Sequence, residues 1–151
     1  MLDCYDLLSP PQIVFGWGRR DELAGLIQPL ARRVFLVSGS KTLEKTGIID
    51  QVTDALNRAG LACEQVATIS REPEVQDVDQ LVADLVSRGA GQGDCLLAIG
   101  GGSAIDLAKA ASALVTNRES STVKDYLEGV GAGLQISAAP ISLVAVPTTA
   151  G

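Results

Sequence analysis

The passage that most constrains this chain is Cys95-Leu96-Leu97-Ala98-Ile99, which runs directly into Gly100-Gly101-Gly102-Ser103 and then into an alanine-rich stretch from Ala104 to Val115. An unbroken apolar run of this length suits a strand buried on both faces, as in the middle of a parallel sheet. The stretch after the glycines places Ile105, Ala108, Ala111 and Ser112 on one helical face. A buried strand, a glycine turn and a helix in that order predict a parallel α/β arrangement, with the helix packed back over the sheet. The turn also has a chemical consequence. Glycines let an anion approach the backbone, and the N–H groups that open a helix carry partial positive charge. In open α/β sheets ligands sit beyond the carboxyl ends of strands. A phosphate group is therefore the expected occupant of the Gly100 to Ser103 turn. The competing reading is a plain tight turn, which does not require consecutive glycines.

The rest of the chain repeats this alternation. Gln12–Phe15 reads as a short strand ending at Gly16-Trp17-Gly18, and Arg19 to about Leu30 as a helix that Pro29 weakens in its last turn. Val34–Val37 is a buried-type strand, and Ile48–Ala59 a helix stopped by Gly60. Leu61–Ile69 is a less regular strand; after Arg71-Glu72-Pro73, the spacing of Val75, Val78, Leu81, Val82, Leu85 and Val86 predicts a helix that stops near Gly89. Ser121–Leu127 has room for one helical turn, residues 128–140 read as a surface loop, and Ile141–Val146 is the last strand, ended by Pro147. The pattern predicts one α/β domain: a mostly parallel, twisted sheet with helices on both faces and right-handed crossovers.

Composition narrows the function. Twelve Lys and Arg against eighteen Asp and Glu leave a net charge of −6, the opposite balance to a phosphate-backbone binder, so nucleic acid is not an expected partner. The 151 residues contain no His, which removes a Ser-His-Asp triad, a His acid–base centre and a His-bearing zinc or iron site from them. Cys4, Cys63 and Cys95 are odd in number and lack metal-ligand spacing, so free thiols in a reducing cytoplasm are expected. No apolar run approaches the ~18 residues of a membrane span. Met1 to Asp6 shows neither a basic n-region nor an apolar h-region, so no membrane contact and no secretory signal are expected.

The two better-known phosphate motifs are absent. Gly16-Trp17-Gly18-Arg19-Arg20-Asp21 lacks the third glycine of a dinucleotide fingerprint, and Ser38-Gly39-Ser40-Lys41-Thr42 only mimics the tail of a P-loop. Instead, Gly100-Gly101-Gly102-Ser103 with Asp106 and Lys109, and Val146-Pro147-Thr148-Thr149-Ala150-Gly151 downstream, resembles the iron-containing (group III) alcohol dehydrogenases. Phe15-Gly16-x-Gly18, Glu72-Pro73 and Asp125-Tyr126-Leu127 fit the same pattern, so the resemblance covers essentially the whole chain. It implies a Rossmann-like NAD(P)-binding domain over residues 1–151 and a C-terminal all-helical domain. It implies hydride transfer between NAD or NADP and a small alcohol or aldehyde. The metal, Fe²⁺ or Zn²⁺, is implied to be held by one Asp and three His of the helical domain. With no His present, neither metal ligands nor catalytic residues are expected here, and the chain is expected to be the cofactor half of a longer enzyme. Family members are often dimers, and the Gln12–Phe15 strand would suit pairing across a homodimer interface. Two alternatives stand beside this reading: a nucleotide-binding module without catalysis, and a relative of the glycerol dehydrogenase or dehydroquinate synthase type.

Carried over residue by residue, the resemblance gives the pyrophosphate to Gly100, Gly101, Gly102 and Ser103. Asp106, placed on the first turn of the following helix, reaches toward the nicotinamide end or simply complements the helix dipole. Lys109 partners a phosphate, or Asp106 at i, i+3, or solvent. Thr148 and Thr149 serve the adenine and ribose side, or only the turn after Pro147. Ser40 stands where many NAD-preferring members carry an Asp for the ribose 2′-hydroxyl. Gly39-Ser40-Lys41 offers a small residue, a hydroxyl and a cation, which tilts the choice toward NADP or dual use unless Ser40 and Lys41 merely cap the next helix.

Overall fold

A computed structural model describes residues 9–149; Cys4, the segment from Met1 to Asp6 and Ala150-Gly151 lie outside the described residues. Four strands, β1 (Arg33–Ser38), β2 (Ala62–Thr68), β3 (Asp94–Gly100) and β4 (Ser142–Pro147), form one sheet in the order β2-β1-β3-β4. Every neighbouring pair is parallel. The two central strands are the continuous apolar runs, and their residues from Val34 to Ser38 and from Asp94 to Gly100 are all buried.

Helices cover both faces, and the period of two along β1 and β3 decides which side chain meets which helix. Val34, Leu36, Cys95, Leu97 and Ile99 pack with Leu23 and Ile27 of α1 (Leu23–Ile27) and with Ile49, Val52 and Leu56 of α3 (Ile48–Arg58). Phe35, Val37, Leu96 and Ala98 pack on the other face with Leu81 and Leu85 of α4 (Val75–Ser87) and Leu107, Ala108 and Ala111 of α5 (Gly102–Leu114). Full burial of each such Val, Leu, Ile or Phe is worth about 1.5–3 kcal/mol. At the amino ends of β1 and β3, the Arg33 guanidinium donates to both Asp94 carboxylate oxygens at 3.1 and 2.8 Å and to the carbonyls of Arg88 and Gly89. That clamp fixes the edge of the sheet opposite the glycine turn.

Three expectations need correction. Gln12–Phe15 forms no strand. Ile13 and Phe15 are 76% and 94% exposed, and an apolar run without a ladder partner or a buried face has nothing to hold it as a strand. The helix expected from Arg19 to about Leu30 is instead a 3-10 turn, Arg19–Glu22, followed by α1 alone; only Leu23 and Ile27 are buried on the sheet, and Pro29 prevents continuation. A short helix not anticipated, α2 (Lys41–Lys45), opens directly after β1. Ser121–Leu127 does hold a turn, of 3-10 type over Val123–Tyr126, and 128–140 contains no helix or strand.

Candidate functional site

The carboxyl ends of β1, β3 and β4 meet in one place, and glycines make the meeting possible. Beyond the strands the ladder continues: Gly39 N–H donates to the Ile99 carbonyl at 2.8 Å, and Thr148 N–H to the Gly100 carbonyl at 2.9 Å. A Cβ on Gly100 would lie 2.6 Å from the Gly39 Cα and 2.9 Å from the Ala104 Cβ, and a Cβ on Gly39 would lie 2.6 Å from the Gly100 Cα. Neither residue has a positive φ. These two glycines therefore serve close backbone approach rather than an unusual dihedral. A Cβ on Gly101 would touch Thr149 Cγ2 at 3.4 Å, whereas Gly102 faces open space.

Gly101 is the N-cap of α5, and no side chain caps it. The first intrahelical bond runs from Ile105 N–H to the Gly101 carbonyl at 3.3 Å, so the N–H groups of Gly102, Ser103 and Ala104 precede any helical acceptor. Bare N–H groups, the positive end of a 13-residue helix and a floor without Cβ atoms make a cradle for an anionic group. The chemistry of that cradle suits a phosphate or pyrophosphate group.

The other residues singled out fall around this cradle with different degrees of engagement. Ser103 lies in the first turn of α5. Thr148 and Thr149 are exposed just past β4. Asp106 is not on the first turn but one turn further, because α5 starts at Gly102; there it accepts a 2.7 Å bond from Lys109 Nζ, with both side chains more than half exposed. Ser40 is the N-cap of α2, its Oγ accepting from Leu43 N–H at 3.3 Å. One of its two lone pairs is thus engaged in capping, while its O–H remains able to donate.

One participant was not anticipated. Glu44, on α2, turns its carboxylate onto the carboxyl ends of β1 and β2. Its Oε1 accepts from Thr68 Oγ1 at 2.6 Å and Gln65 Nε2 at 2.8 Å, with Ser38 Oγ 3.4 Å away. The bonds from Thr68 and Gln65, in that order, hold the carboxyl below the usual carboxylate range. No sequence signal points to it: a single acid in a five-residue helix is indistinguishable from a solvated charge.

A groove of about 560 Å³ lies elsewhere, between β2 and α4. Its one cation, Arg71, is already bonded to Asp77 at 2.7 and 2.9 Å, so it is a poorer anion site than the glycine cradle. Among the described residues no group of three or more His, Cys, Asp or Glu could hold a metal ion, so the donor set present does not fit iron. Cys63 and Cys95 are free, and burial pushes the Cys95 thiol up to about 12, out of reach of ordinary reactivity.

The sequence profile of the iron-containing alcohol dehydrogenases matches residues 10–151. The chain belongs to that family. It is 35% identical over 105 residues to the probable NADH-dependent butanol dehydrogenase 1 of Bacillus subtilis (strain 168), covering 70% of this chain and 26% of that protein. It is 32% identical over 145 residues to the long-chain-alcohol dehydrogenase 1 of Geobacillus thermodenitrificans (strain NG80-2), covering 96% and 35%. The fold matches that of an archaeal halo-thermophilic Red Sea brine pool alcohol dehydrogenase, with TM-score 0.85 at 22% identity over 100% of this chain and 38% of that one. It also matches the NADH-dependent butanol dehydrogenase A of Thermotoga maritima, with TM-score 0.81 at 25% identity over 97% and 35%. This family member thus spans only 26% to 35% of the length of these curated relatives. Among its described residues, no helix is long and apolar enough to cross a membrane.

Proposed function

We propose that residues 1–151 are the cofactor-binding half of an alcohol dehydrogenase or aldehyde reductase that uses NAD or NADP. When bound, the dinucleotide supplies or accepts the hydride exchanged with a small alcohol or aldehyde. The observation that carries this reading is the uncapped start of α5 at Gly101, set at the carboxyl end of a central strand and floored by the Gly39–Gly100 contact.

The residues of the chain bind and orient. The N–H groups of Gly102, Ser103 and Ala104 and the Ser103 hydroxyl donate to pyrophosphate oxygens; charge-assisted bonds of this kind contribute about 1.5–3 kcal/mol each. Asp106, with its charge balanced by Lys109, borders the nicotinamide end. The alcohol-facing wall and the iron or zinc ligands belong, in this reading, to a helical domain outside these residues. The proportions support that division, since the relatives are about three times as long.

Gly101→Val tests the cradle. Its branched side chain would fill the space of the pyrophosphate and press on Thr149. NADH titration by fluorescence should show binding to the 151-residue chain and at least a tenfold weaker affinity in the variant, with a similar melting temperature. Equal affinities would refute the assignment. The same chain, supplied with Fe²⁺ or Zn²⁺, is expected to show no alcohol turnover; measurable turnover would refute the two-domain division.

A further inference from the structure

We propose that Glu44 is the residue that selects between the two nicotinamide dinucleotides, accepting a hydrogen bond from the adenosine ribose 2′-hydroxyl of NAD and excluding the 2′-phosphate of NADP. The inference rests on the dinucleotide reading above and deepens it. From the Gly100 to Ser103 turn an adenosine can extend to either side of β3. Toward β4 the Thr149 side chain stands against Gly101, at 3.4 Å from where a Cβ would be. Toward β1 the turn is bordered by backbone alone, because Gly39 and Gly100 meet without side chains. The bare path leads over Gly39 to the seam between β1 and β2.

That seam ends in polar groups of one chemical character. Thr68 and Gln65 donate to Glu44 Oε1 at 2.6 and 2.8 Å, and the Ser38 hydroxyl beside them donates its one proton to Thr68 Oγ1 at 3.0 Å. Glu44 Oε2 accepts no bond from any described residue, so it is available to a hydroxyl donor. With strands about 4.8 Å apart, the seam lies about 7 Å from β3, within a ribose's reach of its 5′-phosphate. An acidic acceptor near that position binds the 2′-hydroxyl in dinucleotide folds generally, and a carboxylate held ionised by Thr68 and Gln65 repels a 2′-phosphate. Lys41 also faces Glu44 electrostatically. Its side chain is exposed and makes no bond among the described residues, so water screens it, whereas the bonds from Thr68 and Gln65 fix Glu44 in place.

The proposal runs opposite to the expectation drawn from Ser40. Position 40 lacks the carboxylate, but α2 supplies one a single turn later. The test is fluorescence titration of NADH and NADPH into the 151-residue chain and its Glu44→Gln and Glu44→Lys variants, with melting temperatures as a folding control. Wild type should bind NADH at least tenfold more tightly than NADPH. Glu44→Gln should bring the ratio close to one, and Glu44→Lys should invert it; if the lysine variant does not fold, the isosteric glutamine variant decides. A purely structural role for Glu44 would weaken both dinucleotides equally and leave the ratio unmoved, which would overturn the inference, as would a wild-type ratio of one or less. Failure of wild type to bind either dinucleotide would instead overturn the dinucleotide reading itself.

Discussion

The helices α4 and α5 have the same length, 13 residues, and each follows a parallel strand of the same sheet, yet they begin in opposite ways. Helix α4 is closed by an acid: Asp77 accepts from the Glu74 N–H at 2.7 Å, and Arg71 grips the Asp77 carboxylate with two bonds of 2.7 and 2.9 Å. Helix α5 begins at Gly101 with no side-chain cap. A start that carries a bound carboxylate has an N–H taken up and its dipole offset by that charge, so it repels a further anion. An uncapped one at the same end of the sheet retains both for a ligand. The difference between two otherwise matched helices is thus a functional signal that fold alone would not supply.

The largest expected effect comes from disturbing the floor beneath α5. Gly100→Ala would drive a Cβ to 2.6 Å from the Gly39 Cα and 2.9 Å from the Ala104 Cβ. Two of the crowded neighbours are backbone or helix-bound, so neither can move aside. A loss of about 3 kcal/mol is expected, which lowers Tm by roughly 6–12 °C in a domain of this size. Gly102→Ala, in open space, should leave Tm within about 2 °C, since alanine favours a helix start. Thermal melts of both variants check the contrast, and equal losses would mean that the glycines are not packed as described.

The next effect exchanges the two termini. Gly101→Asp gives α5 the kind of acid that closes α4. The residue's backbone is extended, with φ −81° and ψ −169°, so an aspartate fits without strain and can cap. Stability should hold or rise by up to about 1 kcal/mol, while NADH affinity falls by about five- to a thousand-fold, from about 1–4 kcal/mol of repulsion near the pyrophosphate. Unchanged NADH affinity in a folded variant would show that the phosphates lie elsewhere.

The closed and open termini differ in how far the sequence discloses them. Three adjacent glycines after a buried run mark the α5 cradle without reference to the rest of the chain. The central strands are equally legible, because Val34–Val37 and Cys95–Ile99 are apolar at every position and only double-sided burial accommodates that. Gln12–Phe15 shows the limit: its composition is strand-like, but a strand also needs a neighbour, and no local pattern announces whether one exists. The contribution of Gly39 depends on a contact 61 positions away, with Gly100. Glu44 depends on three strand-end side chains brought together by the β1–β2 register. Spacing in sequence carries helix faces and turns; it does not carry which strand lies beside which. Asp106 departs from its expected place for a smaller reason, since the helix begins two residues before Ala104 and shifts the acid out of the first turn.

A smaller effect follows from opening α4. Asp77→Ala removes the acceptor for Glu74 N–H and both Arg71 bonds. About 1 kcal/mol of stability should be lost, or roughly 2–4 °C in Tm, with NADH affinity unchanged. A parallel drop in NADH affinity would mean that α4 belongs to the binding site and that the contrast between the helices is one of degree.

The smallest effect is the pH dependence of that same cap. Hydrogen bonds from Arg71 first, then from the Glu74 N–H, hold the Asp77 carboxyl below its ordinary value. A carboxyl whose pKa falls on folding stabilises the protein at every pH above its unfolded pKa. That contribution disappears as pH falls through the folded value. Tm should therefore decline as pH drops below about 4, and Asp77→Asn should decline less over the same interval, because no proton is taken up at that position. Glu44, also held low, titrates in both proteins and cancels from their difference. The Arg71 side chain is 55% exposed, so solvent screening limits the difference to less than about 1 kcal/mol. Melting curves of the two proteins between pH 2 and 6 check this. Curves that stay parallel throughout would show that the Asp77 charge does not close α4, leaving the glycines alone to distinguish the two helix starts.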